Sequence, residues 1–147
     1  KETRKEKFID STMAARHPLR VLLVEDNMIN QMVAKELLSQ LGLAADTAAN
    51  GEEAIEVLSR ANTEARYILV LMDCQMPIMD GYESSRKIRS GEAGALAKTI
   101  PIIAMTANAM KGDKEKCLEA GMDDYLSKPI NPDTLEAKLR QWIFSDD

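Results

Sequence analysis

One histidine, His17, is all the imidazole that this chain has. It precedes Pro18 in a charged, linker-like stretch and reads as a solvated side chain. Only two cysteines occur, Cys74 and Cys117, and they form no metal-ligand spacing and no disulfide framework. They read as reduced thiols of a cytoplasmic protein. No apolar run approaches the roughly 18–20 residues that span a bilayer, and no signal-peptide pattern opens the chain. Aromatic residues make up 4%, and no glycine-rich pattern for cradling a nucleotide is present. The net charge of −5 gives no general attraction to nucleic acid or to an anionic membrane.

What is present suits one soluble α/β domain. A chain of 147 residues with 45% apolar and 29% charged residues can build an ordinary core. Short continuous apolar runs read as strands buried on both faces: Leu19 to Val24, Ile68 to Met72 and Ile100 to Met105. A weaker strand is expected near Leu43 to Ala48, and a short one at Tyr125-Leu126. Helical patterns alternate with them. Asn27 to Leu41 places Val33, Ala34, Leu37, Leu38 and Leu41 on one face. Asn50 with Glu53 resembles a capping box before Ala54, Ile55 and Leu58, and Asp80 with Glu83 caps another short helix. A helix near Asp113 to Ala120 stops at Gly121. Asn131-Pro132 opens a last helix whose buried stripe is Leu135, Leu139, Trp142 and Ile143. Ser90 to Thr99 lacks an apolar period and is expected to be a mobile loop. This alternation implies a doubly wound parallel sheet with helices on both faces.

The chemistry lies at the strand ends. The first strand runs into Glu25-Asp26, the third into Asp73, the fourth into Thr106, and the fifth leads to Ser127-Lys128-Pro129. Open α/β sheets bind ligands at the C-terminal ends of their strands. If those strands are parallel neighbours, three carboxylates, a hydroxyl and an ammonium converge. Three carboxylates so close repel one another, and a hard divalent cation relieves the repulsion. Oxygen-only ligands favour Mg²⁺. A carboxylate can attack phosphorus directly, giving an acyl phosphate. Lys128 and the metal would neutralise the transferring oxygens and Thr106 would hydrogen-bond one of them.

Four phrases, in this order and each at a strand end, carry a resemblance: Val21-Leu-Leu-Val-Glu-Asp-Asn27, Leu71-Met-Asp-Cys-Gln-Met-Pro-Ile-Met-Asp-Gly81, Pro101-Ile-Ile-Ala-Met-Thr-Ala107 and Gly121-Met-Asp-Asp-Tyr-Leu-Ser-Lys-Pro129. The chain resembles the receiver domain of two-component response regulators over about Leu19 to Phe144. Asn27-Met-Ile-Asn-Gln31 and Met-Asp-Cys-Gln-Met-Pro look most like receivers of hybrid sensor histidine kinases. The resemblance implies a flavodoxin-like five-stranded sheet ordered 2-1-3-4-5. It implies that Asp73 is the phosphoacceptor, that Asp26, Asp73 and the backbone carbonyl of Gln75 bind one Mg²⁺ with Glu25 acting mainly through water, and that Lys128-Pro129 is cis. Thr106 and Tyr125 become switch residues, and Ala107 and Asn108 neighbour the phosphoryl pocket. The donor would be a phosphohistidine on a histidine kinase or a histidine phosphotransfer domain, since His17 offers no such site here.

Residues 19–147 are therefore read as the receiver, not by itself a turnover enzyme. Residues 1–18 are read as a linker or vector-derived segment, with a short docked helix or the tail of an upstream kinase domain as the alternative, and the whole as part of a hybrid kinase, cytoplasmic or on the cytoplasmic side of a membrane sensor. Two other readings stand beside this one. An aspartyl phosphohydrolase usually has a second aspartate two residues after the nucleophile, where this chain has Gln75. A degenerate receiver that only binds partners would not be expected to keep Glu25, Asp26, Asp73, Thr106 and Lys128 together. On a helical wheel, Met28 and Met32 fall opposite the core face of the first helix, with Ile29 flanking them. Core packing does not need them there, and methionine is common on adaptable binding surfaces. They are the candidate docking patch for a four-helix phosphohistidine donor.

Overall fold

The computed structural model describes residues 20–60, 67–107 and 111–143. The segment 1–18, Leu19 and Asn108 lie outside the described residues. Five strands alternate with five helices: β1 Arg20–Val24, α1 Met28–Gln40, β2 Ala44–Ala48, α2 Gly51–Arg60, β3 Tyr67–Asp73, α3 Gly81–Arg89, β4 Ile102–Thr106, α4 Lys111–Glu119, β5 Asp124–Ser127 and α5 Pro132–Ile143. All pairings are parallel, in the order β2-β1-β3-β4-β5. Their C-terminal ends therefore share one edge, and Asp73 stands in the central strand.

Strand alternation divides the core in two. Leu22, Val24, Val70, Met72, Ile102 and Ala104 face α2, α3 and α4. Val21, Leu23, Leu69, Leu71, Ile103 and Met105 face the other way, toward Ala34 and Leu38 of α1 and Leu135 and Leu139 of α5. Both faces of β1, β3 and β4 are covered, so their sequences read as unbroken apolar runs.

Side chains cap the helix starts, at Asn50 and Asp80 as the sequence suggests. Asn27 accepts from the Asn30 N–H at 2.9 Å, and Asp80 from the Glu83 N–H at 2.9 Å. Asn50 accepts from the Glu53 N–H at 2.9 Å, while Glu53 reaches back to the N–H of Ala49 at 2.8 Å. Asn131 accepts from the Thr134 N–H at 3.0 Å. The bonds to the four cap side chains each satisfy a donor that the first helical turn leaves without a partner.

Three expectations change. Val33 is 52% exposed, because α1 packs through Ala34, Leu38 and Leu41. At about 100° per residue, Val33 lies roughly 100° from the centre of that stripe. The stretch 90–99 is not a structureless loop. Ala95–Thr99 forms a 3₁₀ turn, with Ala93, Ala97 and Ile100 buried against the α2–α3 side of the core. Trp142 and Ile143 are only half-buried.

Arg89, at the end of α3, fastens the 3₁₀ turn to the chain before β5. Its guanidinium donates to the carbonyls of Gly121, Lys98 and Ile100 at 2.8, 2.9 and 2.7 Å, and to Asp123 at 2.8 Å. The same Asp123 oxygen accepts the Ile102 N–H at 2.8 Å. Gly121 sits at φ +96°, and a Cβ there would press on the Arg89 side chain. Arg89→Met should lower unfolding free energy by about 3 kcal/mol, since several carbonyls and one carboxylate lose a charged donor together. Urea denaturation would read this, and a loss below about 1 kcal/mol would refute the role.

Candidate active site

Glu25 immediately follows β1 and Asp73 closes β3. The pairing of these neighbouring strands brings their side chains to one place. Both are buried, at 2% and 3% exposure, and Asp26 is exposed beside them. Oxygens of all three carboxylates lie within 4.8 Å of one another. Lys128, delivered by the turn after β5, places its ammonium 3.0 Å from Asp73 Oδ2 and 3.4 Å from Glu25 Oε1. The Lys128-Pro129 bond is cis. The Lys128 N–H donates to the Thr106 carbonyl at 2.8 Å, which ties that turn to the end of β4.

One ammonium does not balance three carboxylates. Burial is the main influence holding the Asp73 carboxyl above its usual range, and the charge of Glu25 adds to it. Lys128 and the Gln75 N–H, which donates to Asp73 Oδ1 at 3.2 Å, work the other way. Burial would lower the Lys128 ammonium, but Asp73 and Glu25 outweigh it and hold it above its ordinary value. The donor set is all oxygen, anionic and under-neutralised, and it fits a hard divalent cation.

Glu25 is held by residues not singled out as site residues in the sequence. The Asn27 N–H and the Asn30 side-chain amide both donate to Glu25 Oε2, at 3.1 and 3.3 Å. Gln31 donates to the Glu25 carbonyl at 2.7 Å. On a helical wheel Asn30 shares the side of α1 that carries Ala34 and Leu38, yet its amide turns toward the carboxylate. The signal was the pair of amides five and six residues past an acid at a helix start. Gly81 closes the site from below. Its N–H donates to the Cys74 carbonyl at 3.1 Å, and a Cβ would collide with the Asp73 carbonyl.

Thr106 is buried at the end of β4, and its hydroxyl donates to Asp113 Oδ2 at 3.4 Å. Ala107, next along, is exposed. Tyr125 is half-buried on β5, with the ammonium groups of Lys114 and Lys138 5.8 and 5.4 Å from its ring centre. Cys74 and Cys117 are free and buried with sulfurs 4.0 Å apart. Burial pushes the Cys74 thiol up to about 12, so it stays protonated at neutral pH.

Around the mouth, Met28, Ile29 and Met32 are 70%, 69% and 67% exposed, and Val33 extends the stripe. A cleft of about 190 Å³ beside it is lined by Asn30, Val33, Glu25, Lys128, Pro129 and Ile130. Ile78, in the loop after Asp73, is 77% exposed with φ +67°. A β-branched residue is strained there. Ile78→Gly should therefore raise unfolding free energy by about 1 kcal/mol. A lower melting temperature for that variant would refute the strain.

Among the described residues, no helix is long and apolar enough to cross a membrane. Residues 21–140 match the family model of the response regulator receiver domain. Hybrid signal transduction histidine kinase I of Dictyostelium discoideum is 48% identical over 119 residues, covering 80% of this chain and 7% of that protein. The chain spans 6–16% of the length of such curated relatives. The receiver domain of sensor histidine kinase PA1611 from Pseudomonas aeruginosa, solved with a magnesium ion in its active-site cleft, is 42% identical. It superposes with a TM-score of 0.76, covering 87% of this chain and 99% of that one. The Saccharomyces cerevisiae receiver domain of Ssk1, co-crystallised with the histidine phosphotransfer protein Ypd1, is 32% identical. Its TM-score is 0.76, over 86% and 90% of the two chains.

Proposed function

We propose, from the premise that the chain belongs to the response regulator receiver domain family, that Asp73 accepts a phosphoryl group from a phosphohistidine. The carrying observation is a buried aspartate at the end of the central strand, 3.0 Å from a lysine and clustered with two further carboxylates. An Asp73 oxygen forms the new O–P bond as the donor's N–P bond breaks, and the imidazole leaves. Asp73 needs no general base, because its ionised form is the nucleophile. Lys128 sits where it can follow the charge from the carboxylate onto a phosphoryl oxygen. Thr106 can turn its hydroxyl toward another.

Glu25, Asp26, Asp73 and the Gln75 carbonyl would hold Mg²⁺, which supplies positive charge against the transferring oxygens. The acidic cluster and the magnesium in the related Pseudomonas cleft support this reading. Movement of Thr106 would open space for Tyr125, making the pair the switch. The Met28, Ile29 and Met32 stripe, with Val33 and the adjoining cleft, is the surface we assign to the phosphohistidine donor. The Ssk1–Ypd1 complex and the hybrid-kinase relatives support such a partner and an origin within a hybrid kinase. Gln75, in place of a second acid, does not suit the phosphohydrolase reading.

Acetyl phosphate with Mg²⁺ should label the protein at one site, and hydroxylamine, which cleaves acyl phosphates, should remove the label. Chelation of Mg²⁺ should prevent it. A label that survives hydroxylamine, or forms equally without the metal, would overturn the assignment.

A further inference from the structure

We infer that Asp113 is a positioning residue for Thr106: its carboxylate holds the Thr106 hydroxyl in the resting arrangement and competes for it with a phosphoryl group on Asp73. This rests on the phosphoacceptor reading above and adds a residue to it. Asp113 lies in the first turn of α4, seven residues beyond Thr106, and is half-buried. Its Oδ2 is 3.4 Å from the Thr106 hydroxyl. Its charge is among the lesser influences that raise the Tyr82 hydroxyl and the Cys117 thiol, both raised chiefly by burial.

Proton counting decides the direction. An ionised carboxylate only accepts, so Thr106 is the donor in this bond. A threonine hydroxyl has one proton to give, and phosphoryl oxygens also accept. Thr106 therefore cannot serve Asp113 and a phosphoryl group through the same proton. At 3.4 Å the bond is long, and a long bond is one that a better acceptor can take over. Asp113 sets the threshold for that exchange, and α4, which carries it, is released when Thr106 turns away. Removing the competitor should favour the phosphorylated arrangement.

The test uses beryllofluoride with Mg²⁺, which bonds to a carboxylate in the shape of a phosphoryl group. Its affinity is compared in the unsubstituted chain, Asp113→Ala, Thr106→Val and the double variant. Asp113→Ala should tighten binding roughly fivefold, the low end of ordinary coupling between sites. In the Thr106→Val background the same change should have less than about a twofold effect, because there is no hydroxyl left to compete for. Asp113→Asn keeps an acceptor of the same shape without the charge, and should fall between. An equal effect in both backgrounds would assign Asp113 to general charge repulsion or to support of α4, and would overturn the inference. So would unchanged or weaker binding in Asp113→Ala. If the unsubstituted chain fails to bind beryllofluoride, the phosphoacceptor reading itself falls and takes this one with it.

Discussion

Asp73→Asn should abolish phosphorylation from any donor and yet leave the metal-free fold at least as stable. The first half follows from chemistry, since an amide is a far poorer nucleophile toward phosphorus than a carboxylate. The second follows from the charge balance. Burial and the charge of Glu25 hold the Asp73 carboxyl above its ordinary value of 3.8. The folded chain therefore binds that proton more tightly than the unfolded chain does. This contribution to stability is complete below the ordinary carboxylate value and is lost as pH rises through the higher folded-state value. At neutral pH, ionised Asp73 is a cost to the metal-free fold. Asparagine removes that cost.

Melting curves of the two proteins in chelator should therefore differ in slope. The unsubstituted chain should lose more stability than Asp73→Asn as pH rises from the ordinary carboxylate range to neutrality. Added Mg²⁺ should reverse the order at neutral pH. A cation bound only by the folded state stabilises by about 2.7 kcal/mol at a hundredfold excess over its Kd, and the variant lacks one of the proposed ligands. Parallel pH profiles in chelator would show that Asp73 is not held in conflict with its neighbours. Phosphorylation persisting in the variant would move the phosphoacceptor elsewhere.

The readable parts of this molecule were those where one residue's neighbours are dictated by the fold. β1, β3 and β4 announce themselves because a strand covered on both faces has no polar positions to interrupt it. Once they are parallel, Glu25, Asp73 and Thr106 converge without further information. Side-chain turning was less legible. Asn30 falls on the inward side of the α1 wheel, but its amide follows the charge of Glu25 toward the site. Val33 is apolar beside the core stripe, yet it lies about 100° round α1 from the stripe's centre and stays outside. The stretch 90–99 buries isolated alanines, Ala93 and Ala97, which makes no periodic pattern. The positive φ of Ile78 belongs to a tight turn closed by the Met79 N–H on the Pro77 carbonyl, and its own residue type argues against it.

Met28→Lys with Met32→Lys should separate a protein donor from a small one. Both side chains are more than two-thirds exposed, so little folding free energy rests on them. A helical donor that buries them would lose apolar contact at two adjacent positions and would have to desolvate two ammonium groups. Centrally buried interface residues cost more than about 1 kcal/mol each when lost, so transfer from a phosphorylated histidine phosphotransfer domain should slow roughly 10- to 100-fold. Acetyl phosphate reaches Asp73 without covering α1, and its rate should stay within about twofold. Position 28 opens α1, where a cation opposes the helix dipole and stands near the acidic cluster. Met28→Gln with Met32→Gln removes that complication and should still slow the protein donor, by less. Equal slowing with both donors would trace the effect to the acidic site, and no slowing with either would take the stripe out of partner recognition.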